Sequence, residues 1–302
     1  VRIFVAGHAG LVGSAVVRRL ALTEEITTIS RKVLDLRDGL AVRAFLAWKR
    51  PDAVVLAAAR VGGIGGNIAA PAEFVADNLA IQHAVIDGAW RAGSVRRFVF
   101  LGSSCIYPRE AAQPIREDAL LTGPLEPSNR AYAVAKIAGI EMCRAYRGQY
   151  GFPAVCLMPN NVYGPGDHYD DVGAHVVPML LRRFHDAKVA GEAEVVVWGS
   201  GRPLREFLFV DDLADAIAFV LDHAAPPEIV NVPGAEEVCI ADLAHRIAGV
   251  VGFTGAIQFD PWKPDGTPRK ALDGGRLAGL GWTPKVGLAE GLTQTYEAFL
   301  CR

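Results

Sequence analysis

Arg2-Ile3-Phe4-Val5-Ala6-Gly7-His8-Ala9-Gly10-Leu11-Val12-Gly13 decides the architecture of this 302-residue chain. A short apolar run with β-branched residues predicts a strand. It leads into a glycine turn that opens an amphipathic stretch of helical length. Glycines at positions 7, 10 and 13 permit positive φ and close backbone approach. The helix that follows offers unpaired N–H groups and the positive end of its dipole to a pyrophosphate. The strand–turn–helix context, more than the GxxGxxG spacing, makes this a dinucleotide-binding turn. Its candidate cofactor contacts are Gly7, His8, Gly10, Leu11, Val12 and Gly13.

At the end of the second strand stands Ser30-Arg31-Lys32, where an NAD-binding chain places Asp or Glu against the ribose 2′-hydroxyl. Adjacent cations favour a 2′-phosphate, so the expected cofactor is NADP, with Arg31 as a contact. The competing reading is a solvated basic turn.

Outward from the turn, apolar runs at 2–6, 53–58, 97–101 and 154–158, with a weaker one at 26–30, alternate with amphipathic stretches near 11–22, 38–49, 72–92 and 130–150. Continuous apolar strands separated by helices imply a parallel sheet covered on both faces. This is the doubly wound, Rossmann-type α/β architecture, with ligands beyond the carboxyl ends of the strands. After about residue 163 the pattern loosens. Gly164-Pro165-Gly166 is a turn, a helix is expected over 174–187, and a strand over 194–198. The segment 206–210 is apolar, and Asp211 or Asp212 is placed to cap the next helix. The stretch 261–271, rich in Pro and charge, reads as a binding loop or a linker. The expected division is a dinucleotide-binding domain over 1–163, with about 206–232 returning to it, and a smaller, mainly substrate-binding α/β domain over 164–302.

A net charge of -2 argues against a generally basic, nucleic-acid-binding surface. The five cysteines are widely spaced without a CxxC pair, which is neither a disulfide framework nor a zinc pattern, and no metal is expected. Such usage suits a reducing cytoplasm. No apolar run approaches the roughly 20 residues that cross a bilayer, and the chain opens on a strand, not a signal peptide.

Three elements then line up as a reducing centre. Gly102-Ser103-Ser104-Cys105 ends the fourth strand, and Tyr132-Ala133-Val134-Ala135-Lys136 lies on a helix, where i and i+4 share a face. A phenol titrates near 10, too high for efficient proton transfer at neutrality, and a neighbouring lysine cation is expected to lower it. Tyr132 can then protonate an alkoxide as hydride reaches a carbonyl, with the Ser103 hydroxyl as a second donor to the same oxygen. Taken alone, Cys105 reads as buried filler, and a histidine at a helix start reads as a surface or cap residue.

These residues, with Asn161-Val162-Tyr163-Gly164-Pro165, resemble the extended short-chain dehydrogenase/reductases, the family of nucleotide-sugar epimerases and reductases. Within it, Ala57-Ala58-Ala59-Arg60-Val61-Gly62-Gly63-Ile64, Leu101-Gly102-Ser103-Ser104-Cys105-Ile106-Tyr107-Pro108, Ala135-Lys136-Ile137-Ala138-Gly139-Ile140 and Lys263-Pro264-Asp265-Gly266-Thr267-Pro268-Arg269-Lys270 are similar to members that epimerise C3 and C5 and reduce C4 of a GDP-linked 4-keto-6-deoxy-mannose. The resemblance runs from about residue 2 to residue 300. It implies a reductive triad of Ser103, Tyr132 and Lys136 and an epimerising pair of Cys105 and His175. It also implies cofactor contacts from Leu101, Gly102, Lys136, Pro159, Asn160, Asn161, Val162 and His175, and substrate contacts from Arg183, Trp198, Arg205 and Asp265. The implied partner is a GDP-sugar, and relatives commonly pair as homodimers through 72–92 and 130–150. Two positions depart from the pattern: Ala9 stands where Arg is frequent, and Phe209 where His is.

The chemistry agrees with the pair. A ketone at C4 acidifies the hydrogens on C3 and C5, and inversion needs a base on one face and an acid on the other. Cysteine near 8.5 and histidine near 6.5 bracket neutrality. Which of the two is base stays open, as does the nucleotide base. The alternatives are C5-only epimerisation with 4-reduction, a simple 4-epimerase, and a non-catalytic NADP sensor.

Overall fold

The computed structural model describes residues 1–169, 174–263 and 265–302. In chain order the first elements are β1 (Arg2–Ala6), α1 (Leu11–Leu20), β2 (Glu25–Thr27), α2 (Gly39–Lys49), β3 (Ala53–Leu56), α3 (Ile64–Ala69), α4 (Pro71–Ala92) and β4 (Arg97–Leu101). Then come α5 (Arg130–Tyr150), β5 (Ala154–Pro159), β6 (Asn161–Tyr163), α6 (Val176–Ala190), β7 (Glu194–Trp198), β8 (Leu204–Phe209) and α7 (Val210–Asp222). The last are β9 (Ile229–Val232), β10 (Glu237–Cys239), α8 (Ile240–Val251), β11 (Ala256–Asp260), β12 (Arg269–Lys270), α9 (Gly275–Gly279) and α10 (Leu288–Leu300).

Six strands form a parallel sheet in the order β2-β1-β3-β4-β5-β9. β3 and β5 are buried along their whole length, which is why they read as unbroken apolar runs. One face carries a core that includes Phe4, Val54, Phe98 and Phe100 with Leu46, Val85 and Ile140 from α2, α4 and α5. The other packs Val5, Val55 and Val99 against Val16 of α1 and Leu213 and Ile217 of α7. The chain leaves β1 for β2 on one side and β3 on the other, so a crevice opens at the carboxyl ends of β1 and β3.

A third core, with Leu180 and Phe184 of α6, Val195 and Val197 of β7 and Leu243 and Ile247 of α8, supports the C-terminal half. There β10, β8 and β12 form a sheet that β6 joins through β8, and β11 pairs with β7. Of the segment expected to return to the first half, α7 and β9 lie on and in the parallel sheet, whereas β8 belongs to the smaller one. Part of the stretch 261–271 is itself a strand: Arg269 and Lys270 pair with Leu204 and Arg205. Pro264 lies outside the described residues.

The expected strand at 26–30 is shorter, ending at Thr27. Neither Asp211 nor Asp212 caps α7: Phe209 occupies the N-cap, and both aspartates fall in the first turn. There they face the positive end of the dipole, and Asp212 accepts from Lys285 N and Val286 N at 3.0 and 2.9 Å. Phe209 is 2% exposed, its ring 5.7 Å from that of Tyr163, so the departure at this position is a packing change.

Candidate active site

The glycines of the first turn do different work. Gly7 has φ +92, and a Cβ there would lie 2.6 Å from the backbone nitrogen of Ala58. A Cβ on Gly13 would collide with the Gly7 carbonyl. Those two are required by the fold. Gly10 is not: its φ is -83 and the nearest neighbour of a Cβ would be 3.6 Å away. It is the N-cap of α1, with no side-chain cap and no acid in the first turn. The first N–H groups of α1 beyond it and the bare approach over Gly10 fit a pyrophosphate. His8, Leu11 and Val12 are half-buried around it, and Arg31 is exposed beyond β2. These observations make the turn suitable for a dinucleotide with a 2′-phosphate.

At the end of β4, Ser103 caps the short 3₁₀ turn Ser104–Ile106, accepting from Cys105 N at 3.2 Å. That cap holds Cys105 two residues past Ser103 on the same side of the sheet edge. Ser104 points inward and donates to Asn160 Oδ1 at 3.2 Å. Across the gap, α5 brings up Tyr132, whose ring meets Phe74 edge-on at 6.4 Å. The Ser103 hydroxyl lies near enough to the Tyr132 phenol to favour its ionised form.

The expected lowering of the phenol by lysine is not what this geometry produces. Burial pushes Tyr132 above the ordinary phenol range, and the charge of Cys105 adds to it, with only Ser103 opposing. Lys136 is 4% exposed, and burial draws it down to about 8. Its Nζ donates to Leu101 O at 2.7 Å and lies 5.8 Å from the Tyr132 ring centroid. The shared helical face holds, but desolvation outweighs the charge effect.

His175 sits at the N-cap of α6, with no side-chain cap bond, exposed at the surface. Residues 170–173 lie outside the described part. It is close enough to Asp167 for its charge to oppose the burial that raises that carboxyl. Among the described residues no hydrogen bond ties it to Cys105 or Tyr132.

The four expected substrate residues form two groups. Arg183 and Trp198 line one open pocket of about 420 Å³ with Glu194 and Val196. Arg183 donates to Val196 O at 2.7 Å, and Lys263 Nζ lies 5.1 Å from the Trp198 ring. Arg205 on β8 feels the charges of Asp265 and Cys105, which oppose the lowering of its pKa by burial. Asp265 accepts from Ser200 N at 2.6 Å and Ser200 Oγ at 2.7 Å, so its carboxylate braces the 199–203 loop.

Of the segment 159–162, the Asn160 and Asn161 amides are engaged internally. Asn160 donates to Glu206 Oε2 and Lys270 O, and Asn161 donates to Asn160 Oδ1 and Glu206 O. Pro159 and Val162 flank them at the sheet edge. One residue of the site escaped the sequence reading. Asn129, at the N-cap of α5, donates from Nδ2 to Cys105 Sγ at 3.1 Å. Its only sequence signal is its place three residues before Tyr132.

Residues 3–233 match the model of the NAD dependent epimerase/dehydratase family. The chain belongs to that family. A relative named probable GDP-L-fucose synthase 1, from Oryza sativa subsp. japonica, is 54% identical over 301 residues, covering 99% of this chain and 92% of the relative. Among solved structures, a GDP-6-OMe-4-keto-L-xylo-heptose reductase from Campylobacter jejuni superposes with a TM-score of 0.93 at 31% identity, covering 99% of this chain and 97% of that one. A GDP-L-fucose synthetase from Naegleria fowleri bound to NADP does so with a TM-score of 0.89 at 28% identity, covering 99% and 94%. Within the family, the Ser103–Tyr132–Lys136 grouping sits beyond the carboxyl ends of β4 and the other sheet strands, where the fold places its ligands.

Proposed function

We propose that this chain is an NADP-dependent enzyme that inverts C3 and C5 and reduces C4 of GDP-4-keto-6-deoxy-D-mannose, forming GDP-L-fucose. The observation that carries the reading is Cys105, held by the Ser103 cap beside the phenol of Tyr132. A simple 4-epimerase has no use for a thiol there, and the 54% identity to a protein named for GDP-L-fucose synthesis points the same way.

The Gly10 approach and the N-terminus of α1 hold the pyrophosphate, and Arg31 the 2′-phosphate. When bound, NADPH supplies hydride. Ser103 and Tyr132 grip the C4 oxygen, which stabilises the enolate formed as C3 or C5 loses its proton. Cys105 and His175 remove and return protons on opposite faces of the sugar. Tyr132, kept neutral by burial, then gives its proton to the C4 oxygen. Arg183, Trp198 and Arg205 receive the nucleotide and its phosphates, guanidinium forks matching phosphate oxygens. Residues 1–163 with α7 and β9 form the cofactor-binding half, and the remainder is mainly the substrate-binding half.

The protein works as a homodimer through α4 and α5. Tyr150 and Val134 are exposed on α5, and Tyr150 stacks on Trp90 of α4 at 4.4 Å. Among the described residues no helix is long and apolar enough to cross a membrane. All five cysteines are free thiols, which suits a cytoplasmic enzyme that needs Cys105 reduced.

The test is NADPH oxidation with GDP-4-keto-6-deoxy-D-mannose, with NMR of the sugar product. GDP-L-fucose, with solvent deuterium at C3 and C5 that Cys105→Ser abolishes, is expected. A product inverted at C5 alone, or undiminished exchange in Cys105→Ser, would overturn the reading.

A further inference from the structure

Asn129 is half-buried in the turn that enters α5, 24 residues from the thiol it touches. One arm of its amide donates to Cys105 Sγ at 3.1 Å. The other, Oδ1, is buried and has no hydrogen-bond partner among the described residues. A buried amide oxygen without a donor is costly, and such groups concentrate where a ligand or a reacting group completes the bonding. Local structure does not explain the residue: at the N-cap of α5 its side chain makes no capping bond.

We infer that Asn129 is a positioning residue for Cys105, holding the sulfur at the sugar and matching both of its protonation states. The inference rests on the proposed role of Cys105 in proton transfer. A residue that alternates between thiol and thiolate needs a neighbour that tolerates both. A carboxamide does so without titrating: its NH₂ donates to a thiolate, and its oxygen can accept from an S–H or from a sugar hydroxyl. A carboxylate would repel the thiolate, and an aliphatic side chain would leave it unsolvated. Arg205 from β8 and Tyr132 from α5 also lie near enough to sense the charge of the thiol. Neither hydrogen-bonds the sulfur, so the amide is its direct donor among the described residues.

The experiment follows carbamidomethylation of Cys105 by iodoacetamide, read at the peptide level by mass spectrometry from pH 6 to pH 10, in the full chain. In Asn129→Leu the rate at pH 7 is expected to fall about tenfold, the scale of losing one hydrogen bond to a charged group. It should converge on the wild-type rate toward pH 10, above the ordinary range of cysteine thiols. Asn129→Asp, closest in shape, should be slower still at pH 7, and it keeps the test open if the leucine variant misfolds. NADPH binding, measured by fluorescence, should be unchanged in either variant. A wild-type alkylation profile in both variants, or a loss that persists undiminished at pH 10, would overturn the inference. If alkylation responds as expected but the wild-type protein exchanges no deuterium into the keto-sugar, it is the proposed function that fails, and the Asn129–Cys105 link stands.

Discussion

Replacing Lys136 with methionine should make this protein more stable. The ammonium is 4% exposed, and burial alone draws it from 10.5 down to about 8. That drop corresponds to a penalty of about 3 kcal/mol on the charged form, at about 1.4 kcal/mol per pH unit. Methionine fills a similar volume without charge. It leaves the Leu101 carbonyl without the donor that Lys136 supplies at 2.7 Å, which returns on the order of 1–2 kcal/mol of that gain. The net stabilisation is then about 1–2 kcal/mol at pH 7, or roughly 2–5 °C in Tm for a chain of this size. The sign has a pH signature. Between pH 8 and 10.5 the unfolded chain holds a proton on this lysine that the folded protein has given up, so wild-type stability rises across that window. The penalty is complete below pH 8 and absent above 10.5. The Tm advantage of Lys136→Met should therefore be largest at neutral pH and shrink toward pH 10, in thermal unfolding with no nucleotide added. A variant less stable than wild type at pH 7, or a difference independent of pH, would refute the reasoning.

Tyr132→Phe should bind NADPH normally but transfer hydride about 10²-fold more slowly or worse, the usual scale for losing a general acid; near-normal NADPH consumption would remove the phenol from the mechanism. Gly10→Val and Gly13→Ala should separate ligand from fold. The first should weaken NADPH binding by about tenfold or more at little cost in Tm, since only the approach to the helix N-terminus is blocked. The second should lower Tm as well, because its Cβ meets the Gly7 carbonyl.

Much of the site was legible because it obeys short-range rules. Tyr132 and Lys136 share a face by the period of a helix, and Gly7, Gly10 and Gly13 announce a strand-to-helix turn. The finer pattern of Cys105, His175 and the Lys263–Lys270 string came from resemblance, since isolated cysteines and histidines are usually structural. The Asp211 and Asp212 reading failed because the helix begins two or three residues earlier than a capping pattern suggests: Phe209, anchored in the core, is the N-cap of α7.

By itself the sequence determined the architecture and the placing of Tyr132 and Lys136 on one helical face, because alternation of apolar runs, glycine spacing and helical period are all local. Tertiary structure alone decided what surrounds them. The pairing of β9 with β5, the approach of Asn129 to a sulfur 24 positions away and the crossing of Arg205 toward the same thiol are long-range contacts. So is the sign of the Tyr132 perturbation, since desolvation depends on everything that packs around a group, and no spacing along the chain encodes it.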